Sequence, residues 1–124
     1  MPVRIEHLSK YKHNKEFLKN SVLSESKNID WAIVVAFYSA LHLIEAFLAG
    51  NDIHCRGHQN RSNWIFLDSR LRKLSIPEYY NMLYNQSIRA RYDCVTMDKN
   101  DLKAVNDALS FIEAQLYPEL GIAT

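Results

Sequence analysis

Two imidazoles and two guanidiniums fall within eight positions in the stretch "NDIHCRGHQNRSNW", residues 51–64, as His54, Arg56, His58 and Arg61. Near neutral pH, histidine can take up or release a proton. Arginine offers a rigid fork of donors matched to phosphate or carboxylate. Together these residue types suit proton transfer beside a bound anion. A second grouping, "SIRARYD" at 87–93, adds Arg89, Arg91, Tyr92 and Asp93. A third lies inside the apolar run that precedes the first, where Tyr38, His42 and Glu45 are spaced by four and three and so share one face of a helix. An imidazole and a carboxylate are costly to take out of water without partners. That ridge is therefore either a satisfied network in the core or the lining of a cleft shared with the other two groupings.

Other chemistries find less support. His54 and His58 are four apart with Cys55 between them, but no glutamate follows the first histidine as in the zinc-protease motif. No second Cys or His pair completes a tetrahedral set. The expectation is no metal and no cofactor. Glycine-rich phosphate loops and a serine-hydrolase elbow are missing as well. Cys55 and Cys94 are the only cysteines, and a reduced cytoplasmic thiol is the default for each.

The elements that must position these residues read as helices. Three Gly and three Pro in 124 residues argue against a turn-rich β fold and suit one domain, 1–124, with one core. Ile5, Leu8, Tyr11, Leu18 and Val22 mark one face of a first helix at about 4–26. A second, at about 29–49, is apolar nearly all round and closes at Gly50. It approaches the length of a bilayer span, but His42 and Glu45 favour a buried central helix over a membrane one. A short helix follows from about His58 to Lys73. "SIPE" at 75–78 reads as a capping box, with Ser75 as N-cap and Glu78 reaching back, opening a helix to about Tyr92. Leu102, Val105, Leu109, Ile112 and Leu116 define the last helix, ending before Pro118. The expected fold is all-α, an up-and-down bundle of four long helices and one short one.

Net charge is +1, but it divides unevenly along the chain. Residues 54–92 hold seven basic and two acidic groups, including six of the seven arginines, whereas 93–124 hold two basic and six acidic. The asymmetry fits either a polyanion partner or pairing of the arginines with the acidic last helix.

"DWAIVVAFYSALHLIEAFLAG", the loop with "RGHQNR", and "YYNMLYNQSIRARYD" before a final amphipathic helix resemble the small HEPN domains of prokaryotic toxin–antitoxin and defence systems. The likeness runs from about Asp30 to Leu116. It implies a cytoplasmic homodimer that binds RNA, with metal-independent endoribonuclease activity as its enzymatic form. In that form His58 or His54 would move the proton and Arg91 or Arg61 would clamp phosphate. Arg56, Arg89 and Tyr92 would add RNA contacts, and Tyr38, His42 and Glu45 would line the cleft. The family's catalytic signature, an arginine followed after four to six residues by histidine, occurs at none of the seven arginines, so it is carried over to no position. The alternative is a non-catalytic module that binds a nucleotide or a partner protein such as a nucleotidyltransferase.

Overall fold

The computed structural model describes residues 3–20, 29–92 and 96–122. They form six helices: α1 (Arg4–Asn20), α2 (Ile29–Ala49), α3 (Gly57–Leu67), α4 (Ser69–Lys73), α5 (Ile76–Tyr92) and α6 (Lys99–Leu120). No strand occurs among the described residues. The long helices alternate in direction. Arg4, at the start of α1, donates to the carbonyl of Leu120 at the end of α6 and lies against Gly50 beyond the end of α2. At the far end of α2, Trp31 and Val34 meet Arg91 of α5. The bundle is thus all-α and up-and-down, as the periodicities required.

α2 is the hub, packed against α1, α5 and α6. Ile33, Ala36, Ala40, Leu43, Ile44 and Leu48 are fully buried, together with Tyr80 and Leu83 from α5 and Val105, Leu109, Ile112 and Leu116 from α6. By length and composition α2 could cross a membrane, yet most of it is covered inside the bundle. A strip remains open: Trp31 is exposed, Val35 and His42 are half-buried and Tyr38 is exposed. These positions follow one another at helical spacing down a single side.

Several boundaries differ from expectation for identifiable reasons. The helix expected over 58–73 is two helices, because Asp68 adopts an extended backbone (φ −68°, ψ 120°). Its N–H closes α3 on the Trp64 carbonyl at 2.9 Å. Its carboxylate accepts from the N–H groups of Arg70 (2.9 Å) and Leu71 (3.1 Å), capping α4. Ser75 is not the N-cap of α5. It sits at φ 60°, donating its N–H to the Arg72 carbonyl at 3.1 Å, whereas an N-cap needs extended geometry. Pro77 does fall in the first turn of α5, where its missing N–H costs nothing.

Gly50 is not left-handed either; the positive φ falls on Asp52 (63°). A Cβ at Gly50 would stand 3.4 Å from Arg4 Cδ, an ordinary contact distance, so the close approach of Arg4 does not require glycine there. α6 opens with a reciprocal capping box between Asp98 and Asp101 and runs through Pro118 to Gly121, which caps it at φ 70°. Ile5 is 77% exposed and does not join the inward face of α1. That face carries His7 and Tyr11, about 200° around the helix from Ile5 in the case of His7. The expected stretch 21–26 with Val22, and Asp93 and Cys94, lie outside the described residues.

Candidate functional site

One cleft of about 650 Å³ opens where the exposed strip of α2 meets the 51–56 turn, the start of α3 and the last two turns of α5. Glu45 stands at its floor with its side chain 10% exposed. Arg61, about one turn into α3, donates Nε–H to Glu45 Oε1. His7 Nε2 lies 3.3 Å from Glu45 Oε2, and His7 Nδ1 lies 3.1 Å from His42 Nδ1. The ridge on α2 is therefore both things the spacing allowed: a satisfied polar network, and the wall of an open cleft.

Burial sets the protonation here. It lowers His42 to about 4, against the opposing pull of Glu45, and lowers His7 as well. Burial alone would also lower Arg61, but its bond to Glu45 outweighs that and raises it. The Cys55 thiol is pushed up by burial and by Glu45. His58 is lowered by burial and by the Arg61 charge. The cleft accordingly holds several neutral imidazoles around one carboxylate already paired with a guanidinium.

The upper wall is aromatic and cationic. His58 stacks on Tyr84 with centroids 4.1 Å apart and planes 10° from parallel. Arg91 donates Nη1–H to the Tyr38 hydroxyl at 3.2 Å and Nε–H to the Ser87 carbonyl at 3.3 Å. Its guanidinium carbon lies 5.8 Å from the Tyr38 ring centroid and 5.0 Å from that of Tyr92. Two of a guanidinium's five donors are thus engaged, and among the described residues the other three meet no hydrogen-bond acceptor. His54 Nδ1 is buried at the cleft wall without a hydrogen-bond partner.

Of the residues singled out in sequence, Tyr38, His42, Glu45 and His54 line this cleft, as do His58, Arg61, Arg91 and Tyr92. Arg56 and Arg89 do not, which corrects the expectation that they would. Arg56 is exposed at the start of α3, its N–H held by Asn60 Oδ1 at 2.8 Å. Arg89 donates to Gln86 Oε1 at 2.7 Å and interacts with Asp98 at the start of α6. Positions two apart on a helix point about 200° away from each other, so Arg89 and Arg91 cannot both face one cleft. Among the described residues α6 forms no close ion pair with these arginines, although Asp98 interacts with Arg89 and Glu119 with Arg70. Glu113 of α6 binds Lys15 of α1 at 2.9 Å, and Asp107 binds Lys103 within α6.

Sequence reasoning missed His7 and Tyr84. His7 precedes Tyr11 by four, and that i, i+4 relation to a core aromatic was the available signal. Tyr84 stands four before Ile88 and seven before Arg91, the same face of α5. His7 also creates a grouping that its spacing in sequence did not reveal: His7, His42 and Glu45 present three donor atoms within 4.8 Å of one another.

A family model described as the HEPN domain matches residues 11–116. Neither a curated protein nor a solved structure matches the chain.

Proposed function

The chain belongs to the HEPN domain family, and from that premise we propose that its cleft binds single-stranded RNA, in the setting of a toxin–antitoxin or defence system. The observation that carries this reading is the Arg91 guanidinium held between the Tyr38 and Tyr92 rings at the mouth of the cleft. Aromatic faces stack on bases regardless of sequence, and a guanidinium with unspent donors grips the phosphate beside them. Among the described residues Glu45 is the one carboxylate inside, and it is already bound to Arg61 and so repels a phosphate little. Arg61 is committed for the same reason, which leaves Arg91 as the clamp.

Where binding leads to cutting, the ribose 2′-OH gives up its proton and attacks the adjacent phosphorus while the bond to the 5′-oxygen of the next nucleotide breaks, leaving a 2′,3′-cyclic phosphate and a 5′-oxygen that takes up a proton to become a 5′-OH. His58, exposed and stacked on Tyr84, is the group that moves the proton, and Arg91 holds the charge that develops. A second reading, a non-catalytic module for a partner protein, is favoured by a different observation. Trp64, Phe66 and Leu67 of α3 are 40%, 43% and 71% exposed, and the signature arginine–histidine spacing is missing.

Fluorescence anisotropy with a labelled single-stranded RNA oligomer at low salt separates the two. Tyr92→Ala should weaken binding about 5- to 150-fold, the worth of one stacked base. Arg91→Ala should weaken binding across sequences and flatten the log–log salt dependence by about 0.7. Arg89→Ala should change affinity less than about threefold. His58→Ala should leave binding nearly intact and reduce any cleavage by about a hundredfold or more. Wild-type protein that neither binds nor cuts single-stranded RNA at low salt refutes the RNA reading in favour of the partner module.

A further inference from the structure

Within the cleft, the floor is chemically distinct from the mouth. It brings together His7 from α1 and His42 and Glu45 from α2, one nitrogen from each imidazole and one carboxylate oxygen, all within 4.8 Å of one another. Four-coordinate Zn²⁺ with bonds of about 2.0–2.1 Å sets its ligand atoms about 3.3 Å apart. The His7 Nε2–Glu45 Oε2 separation is 3.3 Å, and the His7 Nδ1–His42 Nδ1 separation is 3.1 Å. Those two distances use opposite nitrogens of His7, so binding one ion requires His42, which is half-buried on the open side, to turn toward the His7 nitrogen that faces Glu45. From this geometry we propose that His7, His42 and Glu45 form a Zn²⁺ site of the two-histidine, one-carboxylate kind, with its fourth position open to the cleft.

The surroundings supply what such a site needs beyond its ligands. Metal-bound carboxylates are oriented by a hydrogen-bonded partner, and Arg61 occupies Glu45 Oε1 while leaving Oε2 directed at His7. Imidazole pairs with zinc more readily than with the hard ions that prefer all-oxygen cages. The two histidines therefore select a borderline divalent ion over Mg²⁺ or Ca²⁺. The open position matters functionally, since three protein ligands and a water are the pattern of zinc sites that bind or activate a further group.

The test uses the untagged full chain, stripped of metal, with Zn²⁺ followed by calorimetry and Co²⁺ followed by its visible absorption, both without RNA. One ion should bind per chain, Co²⁺ should give the intense bands of a tetrahedral centre, and Mg²⁺ should not compete. Removing a partner in the outer shell already costs about 10- to 100-fold in affinity, so His42→Gln, removing a ligand, should cost about 100-fold or more. Because His7→Ala empties a buried position, His7→Gln is read beside it by thermal shift. Zn²⁺ should raise the melting temperature of wild type and of neither variant. Cys55→Ser and His58→Ala should bind Zn²⁺ within about threefold of wild type. No binding at micromolar Zn²⁺, binding retained in His42→Gln, or binding lost in Cys55→Ser overturns the proposal. None of these outcomes depends on whether the mouth of the cleft takes RNA.

Discussion

Replacing Arg61 by methionine should be one of the most destabilising single changes at the cleft. The Arg61 and Glu45 side chains are 16% and 10% exposed, so the substitution strands a carboxylate that water reaches poorly. Breaking a buried pair in this way costs about 3–5 kcal/mol. His7, 3.3 Å from Glu45 Oε2, stays as a partial partner, and a hydrogen bond of that kind returns about 1 kcal/mol. The expected net loss is therefore about 2–4 kcal/mol, or about 8–16 °C in melting temperature for a domain of this size. Urea unfolding of wild type, Arg61→Met, Glu45→Leu and the double variant forms a complete cycle. The double variant should recover most of the loss, because an apolar pair of similar volume replaces both charges. A loss under about 0.5 kcal/mol for Arg61→Met, or strict additivity in the double variant, would refute the view that Glu45 is an anion held in place by Arg61.

Two further outcomes are expected. Asp68 caps α4, and although burial opposes it, its bonds to Arg70 and to the N–H groups of Leu71 and Arg70 hold its carboxyl below the ordinary value. The stability this provides is present above the unfolded-state pKa near about 3.9 and is lost as pH falls through the folded one. Asp68→Ala should therefore cost about 1–2 kcal/mol at pH 7 and progressively less below pH of about 4, read by denaturant midpoints across pH. Self-association should involve the open strip of α2, where Trp31 is 66% exposed. Sedimentation should give a dimer at tens of micromolar and Trp31→Ser should shift it toward monomer; wild-type protein that is only monomeric there argues against a dimer.

The parts of the fold carried by hydrophobic period were legible in sequence. Val105, Leu109, Ile112 and Leu116 are buried at the spacing that announced α6, and α2 is the central helix its composition required. What escaped was decided by single backbone angles. Asp68 splits one expected helix because its extended backbone and short carboxylate cap α4, and Ser75 comes after α4 in a left-handed turn instead of opening α5. The cleft was legible where its residues are neighbours along the chain, as at 54–61. It was not legible where they meet only through packing. His7 stands 35 positions from His42, yet their nitrogens are 3.1 Å apart. Arg89 and Arg91 look equivalent in sequence, and helical rotation sends them to opposite sides.

The way α1 is fastened gives the floor of the cleft a weakness of its own. Tyr11 donates to Glu113 and bonds Tyr117. Tyr117 also donates to Glu113 at 3.2 Å, and Lys15 pairs with the same carboxylate. These polar ties converge on Glu113 of α6, and among the described residues α1 adds only Tyr11 to the buried apolar core, with Leu8 and Leu18 packed against it, where α2, α5 and α6 supply most of the rest. Regions held by fewer apolar contacts open at lower free energy than the core and do so as units. Amide exchange should therefore run faster in α1 than in α2 or α6, and each opening removes His7 from Glu45 while the remaining helices stay packed. The assembled floor then exists only for the fraction of time that α1 is docked, and any ligand using His7 would clamp that helix shut.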